Sequence, residues 1–257
     1  MLSVVIPSYK DKYIHQTIES LLDNAKGEIE IIVVLDGYWQ AFIADPRIVI
    51  VHLGKNSGMR EAINAGVRVS RGEYIMRTDE HCMFAPGYDI ELTNSCKDNW
   101  IMTPVRYFLD PDKWEVIDKD PVYYERLAVR EFNNGKKKFE GVKWNSRTKE
   151  RRDIPIDETM AMQGSCWTMS RKWWNTIGEL ETKGYGTHYQ DSHEMIFKTW
   201  KKGGKMMLNK NTWYAHKHYK FPRSHNYGSQ DGDPHIEHCY KTWNDYFEKE
   251  IKPKWNL

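Results

Sequence analysis

The amino-acid sequence predicts an α/β fold with a mostly parallel sheet and helices on both of its faces. Short, continuous apolar runs alternate with segments of helical period over residues 1–100. The runs do not alternate between apolar and polar residues, which is typical of strands buried on both faces of a parallel sheet. Small groups of polar residues follow the runs, as expected where loops leave the carboxyl ends of parallel strands.

Repeated βα units are predicted for the first half of the chain. Pro7 ends the first apolar run, and the segment after it has apolar residues at Ile14, Ile18 and Leu21, a helical period. Predicted strands cover residues 2–6, 29–35, 48–53 and 74–77, and predicted helices cover residues 13–24 and 56–69. Right-handed crossovers are then the expected connections.

The second half is predicted to add further strands and helices. Gly203 and Gly204 end a helical segment, as glycines commonly do. A strand and turn are predicted for residues 100–112, strands for 160–170, 205–208 and 212–215, and helices for 171–177, 192–202 and 235–251.

Length and composition favour one globular domain over residues 1–257. We expect this domain to consist of two halves, at 1–110 and 111–257. The net charge of +2 is too small to indicate a polyanion partner by itself. The four cysteines form no CxxC pair, which disfavours a structural zinc site or a disulfide framework and favours a cytoplasmic location. The first apolar run is too short for a signal peptide or a transmembrane segment.

A basic insertion at about residues 130–153 stands out within the second half. Its cations concentrate in residues 133–152, where they are Lys136, Lys137, Lys138, Lys143, Arg147, Lys149, Arg151 and Arg152. The stretch has two interpretations, a solvated loop or a flap that faces a polyanion such as nucleic acid.

Polar groups follow several predicted strands and should meet at one edge of the sheet. They are Pro7-Ser8-Tyr9, Asp36-Gly37, Asn56-Ser57-Gly58 and Asp79-Glu80-His81. In an extended segment, Asp79 and His81 project to the same side, so both could reach one hard divalent cation. The same three residues could instead form a simple turn at the end of a strand.

The order of these motifs resembles the nucleotide-binding half of GT-A glycosyltransferases, including the wider family-2-like enzymes. The matching segments are Ser3-Val-Val-Ile-Pro-Ser-Tyr9, Ile31-Ile-Val-Val-Leu-Asp36-Gly37, Asn56-Ser-Gly58, Ala62-Ile-Asn64-Ala-Gly66 and Arg71-Gly-Glu-Tyr-Ile75. Most enzymes of this fold carry a DxD motif where this chain has Asp79-Glu-His81-Cys82. That variant resembles the polypeptide N-acetylgalactosaminyltransferases.

Segments of the second half are similar to the same family. They are Glu158-Thr-Met-Ala161, Gly164, Ser170-Arg-Lys-Trp173-Trp174, Asp191-Ser-His-Glu194 and Trp213-Tyr-Ala-His216. The resemblance covers roughly residues 1–110 and 155–220, and it implies a Rossmann-like GT-A fold. It also implies that the half at 1–110 binds the nucleotide sugar and the metal ion and that the half at 111–257 binds the acceptor.

The resemblance implies a site for a nucleotide-diphosphate sugar, with UDP as the expected nucleotide. Asp79, His81 and His216 would hold Mn²⁺ or Mg²⁺, and His218 is the competing third ligand. The donor-binding residues would be Pro7, Ser8, Tyr9, Asp36, Asn56, Gly58, Arg60, Thr78 and Gly164, although Arg60 could equally be a solvated helix residue.

The predicted catalytic residues are Asp191 and Glu194. Inverting relatives carry a catalytic aspartate at the place of Ser192, and the retaining N-acetylgalactosaminyltransferases lack it there, so the resemblance favours retention. Asp191 would then anchor a sugar hydroxyl, or it would be the base if the alignment shifts by one residue.

The acceptor remains open at this stage, as does the transferred group, a hexosyl or N-acetylhexosaminyl unit. A protein, glycan or lipid-linked acceptor is expected. DNA with a hydroxymethylated base is the alternative, reached through residues 133–152. A non-catalytic nucleic-acid-binding protein is a rival class, whereas a sugar-nucleotide pyrophosphorylase is disfavoured because no glycine-rich loop follows the first strand.

Overall fold

A ten-stranded mixed sheet forms the centre of the molecule in the computed structural model, which describes residues 1–186, 190–218 and 232–257. Its strands are β1 (Leu2–Ser8), β2 (Ile29–Asp36), β3 (Ile48–Leu53), β4 (Tyr74–Thr78), β5 (Cys82–Phe84), β6 (Trp100–Asp110), β7 (Glu115–Val116), β10 (Ile156–Glu158), β11 (Cys166–Ser170) and β12 (Lys205–His216). Strands β8 (Glu125–Glu131) and β9 (Lys137–Lys143) form a separate antiparallel hairpin.

The strand order confirms the predicted α/β fold with a mostly parallel central sheet. The main path runs β10-β12-β6-β11-β4-β1-β2-β3. Strands β3, β2, β1, β4, β6 and β12 share one direction, while β11 runs antiparallel between β4 and β6, and β10 is antiparallel at the edge. Because β10, β11 and β12 come from the second half, both halves of the chain contribute to one sheet.

Helices cover both faces of this sheet, as predicted. They are α1 (Ile14–Asn24), α2 (Met59–Val69), α3 (Tyr88–Ser95), α4 (Asn145–Glu150), α5 (Arg171–Ile177), α6 (Asp191–Lys201), α7 (His238–Tyr246) and α8 (Lys252–Lys254), with a π-helical segment at Phe247–Ile251. On one face Val5 and Val34 pack with residues of α2, α5 and α6, and on the other Val4 and Val33 pack with residues of α1 and α3. Within the described part of the chain, every helix is too short or too polar to cross a bilayer.

Several elements differ from the prediction. Strand β11 begins at Cys166 rather than at residue 160, and the two strands predicted at 205–208 and 212–215 form one strand with a register shift between Asn209 and Trp213. Strand β5 and helix α3 were not predicted. Strand β5 is too short to show a period, and α3 mixes polar and apolar residues on all sides.

The basic stretch is an ordered hairpin and helix rather than an irregular loop. Strands β8 and β9 are followed by α4, and Phe139 of β9 is fully buried in the core. Several cations of the stretch form ion pairs with acidic groups of the same chain: Lys137 with Glu131, Lys138 with Glu140, and both Arg147 and Arg151 with Asp157. Much of its charge is therefore neutralised within the fold.

Candidate active site

Three potential metal ligands meet at the carboxyl ends of β4 and β12. Asp79 directly follows β4, His81 directly precedes β5, and His216 ends β12. Strand β5 pairs antiparallel with β12, with Cys82 opposite His216. This pairing places the two imidazoles side by side although they are far apart in the sequence.

The donor atoms of these residues are spaced as the ligands of one cation. The distance from His216 Nε2 to His81 Nε2 is 3.1 Å, and that to Asp79 Oδ2 is also 3.1 Å. His81 Nε2 lies 3.8 Å from Asp79 Oδ2. Neighbouring ligands of an octahedral ion with bonds of about 2.1 Å are about 3.0 Å apart. One carboxylate and two imidazoles thus fit Mn²⁺ or Mg²⁺, and other coordination positions are left for phosphate oxygens.

The charge state of the ligands also suits a cation. Burial by itself would raise the pKa of Asp79, but the adjacent Arg77 guanidinium and the hydrogen bond with His216 lower that pKa below its ordinary value. Burial lowers the pKa of His216 to about 4. At neutral pH the Asp79 carboxylate is therefore ionised, and the His216 imidazole is neutral and able to donate a lone pair.

His218, the competing third ligand, points elsewhere. Its Nε2 lies 2.6 Å from Arg106 Nη1. Its ring packs edge-on against His216 at a centroid distance of 5.0 Å, so it supports that residue from the side. The described atoms favour His216 over His218 as the ligand.

Arg77 connects Gly164 to the metal-ligand cluster, which consists of Asp79, His81 and His216. Asp191 lies against Gly164. The Arg77 guanidinium is buried, bonds Asp79 Oδ1 at 2.6 Å and donates to the Gly164 carbonyl. A Cβ at Gly164 would lie 3.3 Å from both carboxylate oxygens of Asp191. Asp191 is 6% exposed, and among the described residues its Oδ2 has no hydrogen-bond partner. A buried carboxylate oxygen without a partner is costly unless a ligand uses it.

Residues at the end of β1 contact the turn Asp79-Glu80-His81, called the metal-ligand turn below. The Tyr9 amide donates to Glu80 Oε2 at 3.1 Å, and the Ser8 hydroxyl bonds the hydroxyl of Tyr38. Pro7 is buried in β1, whereas the Tyr9 side chain is exposed. Of these predicted base-binding residues, Tyr9 therefore offers the most accessible surface.

Thr78 is fully buried below the metal-ligand turn. Its hydroxyl donates to the Ser165 carbonyl at 3.2 Å, and the Asp79 amide donates to the same carbonyl at 3.0 Å. The Thr78 hydroxyl is thus used within the fold, next to Asp79, and its role in binding the sugar donor stays a prediction.

Asp36 holds the loop that begins α2. Its two carboxylate oxygens accept the amides of Ser57 and Gly58 at 2.6 and 2.8 Å, and burial raises its pKa. Gly37 has a φ of +76° and passes so close to Asn56 that a Cβ would lie 2.2 Å from its amide nitrogen. Asn56 itself is exposed. The predicted donor-binding groups Asp36, Asn56 and Gly58 are thus held together in one tight structure.

Arg60 and Glu194 lie in the core and form an ion pair with each other. Both side chains are only 1% exposed, and Arg60 Nη1 donates to Glu194 Oε2 and, at 3.0 Å, to the Glu181 carbonyl. Glu194 Oε1 accepts the Glu181 amide at 3.0 Å and the Lys198 ammonium at 2.6 Å. The structure places both residues in the core with partners from the same chain, and their roles in nucleotide binding and catalysis stay predictions.

Arg77 and Asp11, which contact Asp79 and His81 respectively, were not predicted from the sequence as site residues. Arg77 carried a signal, since a lone arginine inside the apolar run 74–77 needs a buried anionic partner. Asp11 carried none, because its contact with His81 joins segments 70 residues apart.

An open surface cavity of about 570 Å³ lies away from Asp79, His81 and His216. It is lined by Glu73, Asp98, Ser170, Arg171, Lys172, Asn175 and Thr176. Glu73 precedes β4, whereas Asp79 follows it, so the cavity and the metal-ligand cluster lie at opposite ends of that strand.

Comparison with known proteins identifies sequence relatives of one enzyme class. The sequence profile described as Glycosyl transferase family 2 matches residues 3–178. Glycosyltransferase GlyG of Streptococcus pneumoniae serotype 4 is 35% identical over 31% of this chain and 29% of its own length. An uncharacterized glycosyltransferase of Haemophilus influenzae is 23% identical over 48% of this chain and 42% of its own length. EpsJ of Bacillus subtilis, also an uncharacterized glycosyltransferase, is 36% identical over 29% of this chain and 24% of its own length. The matched segments thus span less than half of each relative.

A solved structure of GalNAc-T7 with UDP, GalNAc and Mn²⁺ has a similar fold. It superposes with a TM-score of 0.74 at 16% identity, over 98% of this chain and 50% of that one. At this identity the likeness shows the fold alone, and it bears out the predicted GT-A fold.

Proposed function

Because the chain belongs to Glycosyl transferase family 2, whose profile matches well over half of it, we propose a specific reaction for it. The protein would transfer a sugar from a UDP-sugar to an acceptor hydroxyl and would depend on a divalent metal ion. The family membership agrees with the resemblance deduced from the motifs and supports a glycosyltransferase. The nucleotide, the metal dependence and the stereochemistry are parts of this proposal.

The convergence of Asp79, His81 and His216 is the observation that carries the proposal. These residues would hold Mn²⁺ or Mg²⁺, which neutralises the negative charge that develops on a diphosphate leaving group. Arg77 fixes the Asp79 carboxylate in its orientation and keeps it ionised. The GalNAc-T7 structure, which contains UDP and Mn²⁺, supports the choice of nucleotide and metal by its shared fold only.

Asp191 is proposed to receive a hydroxyl of the donor sugar. Its Oδ2, which has no hydrogen-bond partner among the described residues, lies against Gly164, close to the guanidinium that binds Asp79. Ser192 stands where inverting relatives have their catalytic aspartate, so the expected outcome is retention of configuration. If Asp191 is the base instead, the product would have inverted configuration, and the product anomer distinguishes the two roles.

The nucleotide is proposed to lie along the ends of β1 and β2. Tyr9 supplies an exposed aromatic surface for the base, and the loop held by Asp36 supplies Asn56 and Gly58. Ser8 and Pro7 shape the floor of this site. Glu194 and Arg60 are proposed to be structural.

The acceptor is proposed to be a protein, glycan or lipid-linked hydroxyl. DNA has less support, since many cations at 133–152 pair with acidic groups of the same chain. If DNA is the acceptor, reversing the charge of Lys136, Lys137 and Lys138 should weaken DNA binding and reduce its salt dependence. A cytoplasmic location remains a prediction from the cysteines, all four of which are free and buried.

The proposal is tested by measuring nucleoside diphosphate released from a panel of nucleotide sugars, with Mn²⁺ or with chelator. Slow hydrolysis of the donor makes the test independent of the acceptor. We expect metal-dependent release from a UDP-sugar and a loss of at least about 100-fold in Asp79→Ala and His81→Ala, since each removes a metal ligand.

His216→Ala and His218→Ala form the matched pair for the third ligand. Calorimetric titration with Mn²⁺ should show weakened binding for His216→Ala and near wild-type binding for His218→Ala. Equal weakening by both changes would contradict the assignment of His216. If the wild-type protein releases no nucleotide and binds neither Mn²⁺ nor UDP, the enzymatic proposal fails.

A further inference from the structure

Asp11 contacts His81 at Nδ1, the ring nitrogen that points away from the metal-ligand cluster. Its Oδ2 lies 3.2 Å from His81 Nδ1, while His81 Nε2 faces His216 and Asp79. Asp11 is 6% exposed and His81 is 2% exposed, so the contact is shielded from water. The two nitrogens of one imidazole thus have different surroundings, a carboxylate on one side and two potential metal ligands on the other.

This arrangement determines which nitrogen of His81 can bind a cation. When Nδ1 carries the hydrogen and donates it to Asp11, the lone pair lies on Nε2. A carboxylate at Nδ1 also fixes the plane of the ring. Asp11 therefore orients His81 in the way that metal ligation requires.

The position of Asp11 is itself fixed by the start of α1. Its other oxygen, Oδ1, accepts the Tyr13 amide at 2.8 Å in a local turn. Close by, the Tyr9 amide donates to Glu80. The β1–α1 loop and the Asp79-Glu80-His81 turn are thus joined by two separate hydrogen bonds.

We propose that Asp11 is a positioning residue that orients His81 for a divalent cation at Asp79, His81 and His216. The inference rests on the proposed function, since it assumes that these three residues bind the cation. It goes further because it adds to the proposed metal site a residue of the β1–α1 loop, which lies outside the segment Asp79-Glu80-His81. It also implies that a change in this loop alters metal affinity without touching a ligand.

The test measures Mn²⁺ affinity, by calorimetry or by electron paramagnetic resonance of free Mn²⁺, in wild type, Asp11→Ser and Asp11→Asn. Serine can still accept the Tyr13 amide but is too short to reach His81. Asparagine can still accept the Nδ1 hydrogen but lacks the charge. We expect Asp11→Ser to bind Mn²⁺ about 10- to 100-fold more weakly, as for other such partners of metal-bound histidines, and Asp11→Asn to be intermediate.

Asp112→Asn is the matched control, because it removes the same charge from an exposed residue that contacts Tyr13 rather than His81. It should bind Mn²⁺ like wild type, and the melting temperatures of all variants in chelator should stay close to that of wild type. If wild type binds Mn²⁺ and Asp11→Ser binds it equally well, the inference is overturned while the metal site stands. If wild type fails to bind Mn²⁺, the metal site itself is overturned.

Discussion

At the scale of single residues, hydrogen-bond partners rather than burial distinguish the two acidic residues that were predicted to be catalytic. Asp191 and Glu194 lie one helical turn apart, and both carboxylates are buried. Both Glu194 oxygens have partners within the chain, whereas Asp191 Oδ2 has none among the described residues. The two acidic residues predicted to be catalytic therefore differ in what they can still bind.

Removing the Glu194 carboxylate should destabilise the protein. Glu194→Gln leaves the Arg60 guanidinium buried without its counter-charge, which is expected to lower the free energy of unfolding by about 3–5 kcal/mol in urea titrations. The exposed pair of Arg68 and Glu179 is the matched control, and Glu179→Gln should cost less than about 1 kcal/mol. A stable Glu194→Gln protein without donor hydrolysis would instead support the predicted catalytic role.

At the scale of the elements, helix α2 is positioned by a glycine that faces the sheet. A Cβ on Gly66 would lie 2.5 Å from Val5 Cγ1 and 2.9 Å from Val34 Cγ2, so the helix approaches β1 and β2 more closely than any side chain would allow. The amino end of the same helix carries the loop held by Asp36. Close packing of α2 therefore also fixes the proposed nucleotide loop.

Gly66→Val should lower the free energy of unfolding by about 1–3 kcal/mol, because the added side chain forces the helix away from the strands. Gly54→Val is the comparison, since a Cβ there meets nothing within 4 Å. Both are measured by urea unfolding, together with UDP affinity. Equal stability of the two variants would show that α2 can shift without cost.

Prediction from the sequence succeeds where an element has a long, simple pattern. The runs at β1 and β2 and the period of α1 are of this kind, and the order of the motifs was sufficient to identify the enzyme family. It fails for the contacts of individual side chains: Arg60 occupies a plausible ligand-facing position in the sequence, but Glu194 pairs with it from 134 residues away. Distant pairings such as this one, or that of Asp11 with His81, leave no local signal.

At the scale of the whole molecule, histidines with lowered pKa values make stability depend on pH. Burial lowers the pKa of His193 to about 3 and of His216 to about 4. In the unfolded chain these groups have ordinary pKa values near 6.5. Below that pH the unfolded chain binds more protons than the folded protein, so the free energy of unfolding falls as the pH falls from about 6.5 towards 4.

We expect chelator-treated protein to be less stable in urea at pH 5 than at pH 7.5. His193→Gln, which removes one such group outside the metal-ligand set, should reduce this difference. A pH dependence that is the same in His193→Gln as in wild type would show that His193 does not contribute.

The pairing of β5 with β12 has a consequence for how the protein is made. His81 and His216 are 135 residues apart, and the proposed metal site needs both. A growing chain on the ribosome can complete β1 to β4 and still hold no ion, because β12 is among the last elements to be synthesised. Binding of the metal ion would therefore require that the second half of the chain has been translated and that its strands have joined the sheet.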